Sequence, residues 1–347
     1  MAPKLQDIRA INENKLAELF KELDQPAYRA KQIEEWIWQK GVLSFDEMSN
    51  LSKELRQILN ENFAFYPPSI DLIQQSQDGT AKMRLALHDG LSIESVLIPV
   101  KHDDRYTVCV SSQAGCSLNC SFCATGKMGL LRQLTAAEIV DQVRFVQEYC
   151  QRTFYHPITN IVYMGMGEPL LNYRQVAESV HRLTSPKGMG LSARRITIST
   201  AGIAKMIRKL ADDELKVNLA LSLHAASDVK RNQIMPINET NDLKTLMEAI
   251  QYFYEKTKNR ISYEYIALRD FNDHIVDADE LIQLCKHFPV RVNIIEYNPI
   301  GDGLFSASEE NKLDRFMQRL RAGGVMATLR RSRGKDIDAA CGQLANK

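Results

Sequence analysis

The chain has 347 residues, 44% of them hydrophobic and 25% charged, enough to bury a sizeable core as one large domain with an appendage or as two domains. Lysine and arginine (44) nearly balance aspartate and glutamate (43), so no whole-molecule field draws it onto nucleic acid, and a polynucleotide has to be met by local basic patches. No apolar run has the length of a signal peptide or of a bilayer span, which predicts a cytoplasmic protein, and seven cysteines in a reducing compartment point to metal or thiol chemistry rather than a disulfide framework.

Residues 1–66 read as helices, because Ile33, Trp36 and Ile37, then Leu51, Leu55, Ile58 and Leu59, recur at three- and four-residue spacing. Pro67-Pro68 closes this unit. From 67 to 104 the pattern turns to strands broken by Asp78-Gly79 and Asp89-Gly90, turn pairs that suit a small antiparallel sheet leading into the main domain. From 105 to 347 short β-branched runs alternate with helix-length segments, as in repeated βα units around a parallel sheet. Strands are predicted at 106–111, 158–164, 195–200, 217–223, 261–268, 292–297 and 325–330, with a helix after each of the first six. A closed eight-fold barrel needs at least one more unit, so the expected α/β fold is a partial, open barrel with its chemistry at the C-terminal strand ends. Arg330, Arg331, Arg333 and Lys335, with Arg194 and Arg195 second, are the basic patches to weigh as phosphate contacts against the commoner reading of a solvated face.

Directly after the first barrel strand comes Cys116-Ser-Leu-Asn-Cys120-Ser-Phe-Cys123. Three thiolates on one short loop can ligate three corners of an iron-sulfur cubane and leave the fourth iron open to a small molecule. Cys109 keeps a four-cysteine zinc site open as the alternative, and with it a non-catalytic zinc or iron-sulfur RNA-binding protein. Several other residues have bland readings too. Gly165-Met-Gly167-Glu168 could be an ordinary strand-ending turn, His224 a satisfied core histidine, Cys341 an apolar filler, and Glu94 a solvated glutamate on an edge strand.

The cysteine spacing, with Phe122 before the third cysteine, resembles the radical-SAM superfamily. Five segments narrow the likeness: Cys109-Val-Ser-Ser-Gln-Ala-Gly-Cys116, Met164-Gly-Met-Gly-Glu-Pro169, Ile198-Ser-Thr-Ala-Gly202, Leu221-Ser-Leu-His-Ala225 and Asp338-Ala-Ala-Cys-Gly-Gln-Leu344. Together they resemble the RlmN/Cfr family of radical-SAM adenine methyltransferases over essentially the whole chain.

That resemblance implies a partial (β/α)6-type radical-SAM barrel at 105–347, a helical RNA-binding accessory domain at 1–66 and a β extension at 67–104. It implies a [4Fe-4S] cluster on Cys116, Cys120 and Cys123. S-adenosylmethionine (SAM), two molecules per turnover, would be met by Gly167, Glu168, Ser199, Ser222, Leu223, His224 and Asn298. Cys341 would carry a methyl group from the first SAM and, after loss of a hydrogen to the radical from the second, form a methylene bridge to adenine. Glu94 would remove the ring proton, and Cys109 would release the product by forming a transient disulfide with Cys341. A carrier thiolate makes chemical sense, because adenine C2 has no lone pair with which to displace a methyl group directly. The implied substrates are an adenine at the peptidyl-transferase centre of 23S rRNA and the adenine 3′ of the anticodon in tRNA, with flavodoxin or ferredoxin as electron donor. Gly167-Glu168-Pro169 favours C2 methylation over the C8 branch, and Cys150 and Cys285 are left to packing.

Overall fold

The computed structural model describes residues 5–346, apart from residues 12 and 23. Its N-terminal part is mostly helical, with helices at Glu13–Glu22, Tyr28–Glu34 and Lys53–Asn62, and a π-helical turn at Glu35–Lys40. To these it adds a two-residue parallel pair that hydropathy did not reveal, β1 (Gln6–Asp7) with β2 (Phe63–Ala64). Ser52 caps the third helix by accepting the Leu55 amide, and Leu55 and Leu59 are buried on one face. Antiparallel strands follow: β3 (Ser69–Gln75), β4 (Ala81–Ala86) and β5 (Ser92–Val100), turning at the two Asp-Gly pairs.

The parallel strands are β6 (Arg105–Cys109), then, after a small hairpin of β7 (Gln113–Gly115) and β8 (Leu130–Gln133), β9 (Asn160–Tyr163), β10 (Ile196–Thr200), β11 (Asn218–Ser222), β12 (Ile261–Ala267), β13 (Arg291–Glu296) and β14 (Met326–Arg330). The first six of these seven are each followed by helix, so the expected βα repeat is present. Central strands such as β11 are buried almost end to end, as required where helices cover one face and the barrel filling covers the other.

All ten strands from β3 to β6 and β9 to β14 form one sheet, in the order β14-β13-β12-β11-β10-β9-β6-β5-β4-β3. The barrel is therefore open, and the antiparallel extension continues its sheet rather than standing as a separate one. This corrects the edge-strand alternative for Glu94: β5 lies between β4 and β6, and the outer edge is the polar, largely exposed β3.

The helical part is fastened to the core by charge. Arg9 donates to Asp141 on the helix Ala136–Phe154, and Arg144 of that helix donates to the carbonyls of Ile37 and Trp38, both at 2.8 Å. Arg182 pairs with Glu34 and lies over the Trp38 ring. Among the described residues no helix is long and apolar enough to cross a membrane.

Candidate active site

One cavity at the C-terminal ends of the parallel strands collects residues far apart in the chain. Cys109, Cys116, Cys120, Cys123 and Cys341 all line it, with Gly167, Glu168, Ser199, Ser222 and His224. The cluster loop is pinned at both ends: the Cys116 amide donates to Gly129 O at 2.9 Å and the Ser121 amide to Ile234 O at 3.0 Å. Cys150 lies buried within the helix Ala136–Phe154, and Cys285 is a partly buried helix cap.

Glu168 is held on three sides. Its amide donates to Gln113 Oε1 at 2.7 Å, and its carboxylate accepts the amides of Ala201 at 2.7 Å and Leu170 at 3.0 Å. Burial pushes the carboxyl up to about 7 against those bonds. Gly167 has φ +95°, and a β-carbon there would stand 2.4 Å from the Gln113 side chain, so only glycine lets this turn close.

His224 is buried with φ +56°, and its Nδ1 accepts the Ile266 amide at 3.1 Å. Burial and the nearby Arg231 charge lower its pKa to about 3, so the ring is neutral and carries its proton on Nε2. Ser199 and Ser222 face each other at 3.3 Å. Leu223 does not line the cavity; its carbonyl accepts Arg231 Nε at 3.0 Å. Arg231, fully buried, also donates to the carbonyls of Ala201 and Ser222, joining the ends of β10 and β11. Nothing in the local sequence marked Arg231, since it sits in an ordinary polar helix.

The segment bearing Cys341 runs as a strap over the cavity. Ala124 donates its amide to Gly342 O at 2.8 Å, Thr125 its hydroxyl to Leu344 O at 2.6 Å, and Asn298 its side chain to Cys341 O at 3.4 Å. Gly342 has φ +84° and packs against Phe122 O, which brings the strap onto the cluster loop. Asn298 thus touches the strap rather than lining the cavity. Glu94 also lies outside the lining: it is fully buried, ion-paired to Lys82 Nζ at 3.1 Å, and accepts the amides of Ala345 at 2.9 Å and Asn346 at 3.1 Å.

The two lone thiols share one electrostatic neighbourhood. Burial, with the neighbouring Cys341 thiol, pushes Cys109 up to about 12. Cys341 reaches solvent through the cavity, yet surrounding protein pushes it up to about 11. Arg330 pulls both down. The rest of the expected phosphate patch is largely neutralised, with Arg331 paired to Glu296 and Glu310, and Lys335 to Glu296 at 2.6 Å. The pairing arises because Glu296 ends β13 beside β14, a neighbour that a linear charge count does not see.

The donor set fits an iron-sulfur cluster. Three soft sulfur ligands share one loop, and burial pushes their thiols up, Cys116 to about 11, a penalty that ligation to iron relieves. Among the described residues no three of His, Cys, Asp and Glu gather tightly enough for a single ion.

Comparison with known proteins agrees with this chemistry. Residues 6–64 match the model of the ribosomal RNA large subunit methyltransferase N-terminal domain, and residues 110–282 that of the radical SAM superfamily, whose members use a [4Fe-4S] cluster and SAM. A relative from Christiangramia forsetii named "Probable dual-specificity RNA methyltransferase RlmN" is 51% identical over 99% of this chain and 97% of its own. The "Dual-specificity RNA methyltransferase RlmN" of Sulfurovum sp. is 41% identical over 97% and 96%. The crystal structure of a radical SAM methyltransferase from Sphaerobacter thermophilus superposes with a TM-score of 0.91 at 39% identity, covering 99% of this chain and all of that one. With such identity along almost the full length of both partners, the chain belongs to the RlmN family of radical-SAM RNA methyltransferases.

Proposed function

We propose that the chain methylates C2 of an adenine in 23S rRNA, at the peptidyl-transferase centre, and of the adenine 3′ of the anticodon in tRNA, with a flavodoxin- or ferredoxin-type electron donor in the cytoplasm. The observation that carries this reading is the meeting of Cys109 and Cys341, 232 residues apart in sequence, in the cavity lined by the three-cysteine loop. When bound on Cys116, Cys120 and Cys123, the cluster with SAM at its open iron supplies a one-electron cleavage that yields a hydrogen-abstracting radical.

Glu168 accepts the SAM ammonium, and Ser199, Ser222 and the neutral His224 offer polar contacts beside it, with Leu223 and Asn298 holding backbone in place. The Cys341 thiolate displaces the methyl group from the sulfonium of one SAM, which leaves as S-adenosylhomocysteine, and becomes a thioether. After that methyl group has lost one hydrogen atom, its carbon bonds to the adenine and tethers the RNA to Cys341, and the adduct gives up one electron, the one that the donor supplied. Glu94 takes the ring proton, for which the Ala345 and Asn346 amides have to release it, so the strap opens during the cycle. Cys109, as the thiolate, then attacks the Cys341 sulfur, forming a disulfide while the carbon–sulfur electron pair goes to the methylene carbon, which takes up a proton and becomes the methyl group of the product. Arg330 favours the thiolate that each cysteine needs at its own step, a use of this residue other than gripping phosphate.

In this reading residues 1–66 help to bind RNA, 67–104 brace the strap, and 105–347 carry the chemistry. Nucleoside mass spectrometry of rRNA and tRNA from cells with and without the gene tests it. Loss of 2-methyladenosine from both RNAs is expected, whereas loss of 8-methyladenosine would favour the C8 branch.

A further inference from the structure

Glu264 has no part in the chemistry above, yet it lines the same cavity. On β12, Tyr263 and Tyr265 point to the helix layer, where they meet Phe288 and Phe316, so Glu264 between them faces the barrel interior. It is 4% exposed. One oxygen is fully engaged: Oε1 accepts Ser262 Oγ and Asn293 Nδ2, both at 2.8 Å. The other, Oε2, is buried with no hydrogen-bond partner, and Arg330 Nη1 stands 3.9 Å away, an ion pair too long for a hydrogen bond. A buried carboxylate oxygen left bare beside a ligand cavity is an acceptor prepared for a donor that arrives with the ligand.

The surroundings narrow the kind of donor. Arg330 already supplies positive charge on that side, so a second cation would be repelled, and the ammonium of SAM has its acceptor in Glu168. Ser222 is the direct neighbour of Glu264 on β11 and Asn293 on β13, which makes a polar row across three strands inside the barrel. Hydroxyl and amine groups of a nucleoside match such a row.

We propose that Glu264 Oε2 accepts a hydrogen bond from an uncharged O–H or N–H group of a nucleoside bound in the cavity. This rests on the methyltransferase reading, in which two nucleosides occupy the cavity: that of SAM, offering ribose hydroxyls, and the target adenosine, offering its exocyclic amine. Glu264 is then a recognition residue for one of them.

The test is Glu264→Gln in the full chain with its cluster reconstituted anaerobically. Ser262 and Asn293 both donate to Oε1, so they hold the glutamine carbonyl on their side and turn its NH2 group towards the cavity, converting an acceptor into a donor without changing shape. Binding of SAM, and of an RNA stem-loop carrying the target adenine, is measured by calorimetry. The ligand that supplies the donor binds at least tenfold more weakly to the variant, and the other is unaffected.

Ligand-side deletions on the wild type repeat the test without relying on the variant's folding. Either 2′-deoxy- or 3′-deoxy-SAM, or a stem-loop with purine in place of adenine, loses the same factor. Unchanged affinity of E264Q for both ligands, or of the wild type for every analogue, would overturn the proposal and leave Oε2 as a partner of Arg330 alone. Failure of the wild type to bind SAM and RNA at all would instead strike the functional reading beneath it.

Discussion

The carboxylate of Glu94 accepts the backbone amide of Ala345 at 2.9 Å, so the residue expected to act as a base also fastens the strap that carries Cys341. Its other oxygen faces Lys82 Nζ at 3.1 Å, and Lys82 in turn donates to Asp338 O at 3.4 Å. Both ends of the strap are therefore tied to one buried ion pair.

Breaking that pair from one side leaves an uncompensated buried charge. Glu94→Ala should destabilise the protein by roughly 3–5 kcal/mol, and the double variant Lys82→Met, Glu94→Leu should recover most of the loss. Urea unfolding measures both. A single variant with an unchanged midpoint would show that the pair contributes nothing.

Replacing Cys116, Cys120 or Cys123 with Ala should remove both bound iron and SAM cleavage, while Cys109→Ala and Cys341→Ala should keep about the wild-type iron content. Iron analysis of anaerobically purified variants decides this. Loss of iron from the Cys109 variant would make that residue a ligand.

The two lone cysteines have opposite places around one covalent species. Cys109→Ala with Cys341 intact should accumulate protein joined to RNA, and Cys341→Ala should form neither adduct nor product. Denaturing gels with and without ribonuclease reveal the adduct as a mobility shift. Two inactive variants that both lack RNA would rule out the methylene bridge.

Because Glu296 neutralises Arg331 and Lys335, replacing those two cations with Ala should lower the salt slope of RNA binding by less than the roughly two units that two phosphate contacts contribute. Glu296→Gln should release them, tightening RNA binding and steepening the slope. Filter binding across a salt series checks both, and a weaker complex with E296Q would refute the account.

Two buried groups bend the pH dependence of stability in opposite directions. His224 falls from 6.5 to about 3 on folding, so between those values the unfolded chain holds the extra proton. Its contribution is fully present above pH 6.5 and is lost as pH falls, by up to about 1.4 kcal/mol per pH unit. Glu168 rises from 4.5 to about 7, so the native state holds the extra proton and stability declines as pH climbs through that range. His224→Gln should thus gain stability relative to wild type as pH drops from 6.5 to 5, measured by denaturant midpoints. A pH-independent difference would place a charged imidazole in the fold.

Part of this molecule is encoded in local chain geometry. The three cluster cysteines lie within eight residues, the Asp-Gly pairs make their own turns, and β-branched runs mark the seven parallel strands, so all were legible without a structure. The motif segments also placed Gly167, Glu168, Ser199, Ser222 and His224 at strand ends, where the cavity gathers them. Glu264 left a trace too, as a lone carboxylate in the otherwise strand-like run Ile261-Ser-Tyr-Glu-Tyr-Ile-Ala267. The remaining relationships exist only in the folded chain. Lys82 and Glu94 meet the strap across more than 250 residues, Glu296 cancels charges 35 and 39 residues away, and Arg231 joins two strand ends from a helix outside both. The reason is physical: burial and charge pairing depend on which strands become neighbours in the sheet, and that order is set by packing of the whole chain rather than by the residues on either side.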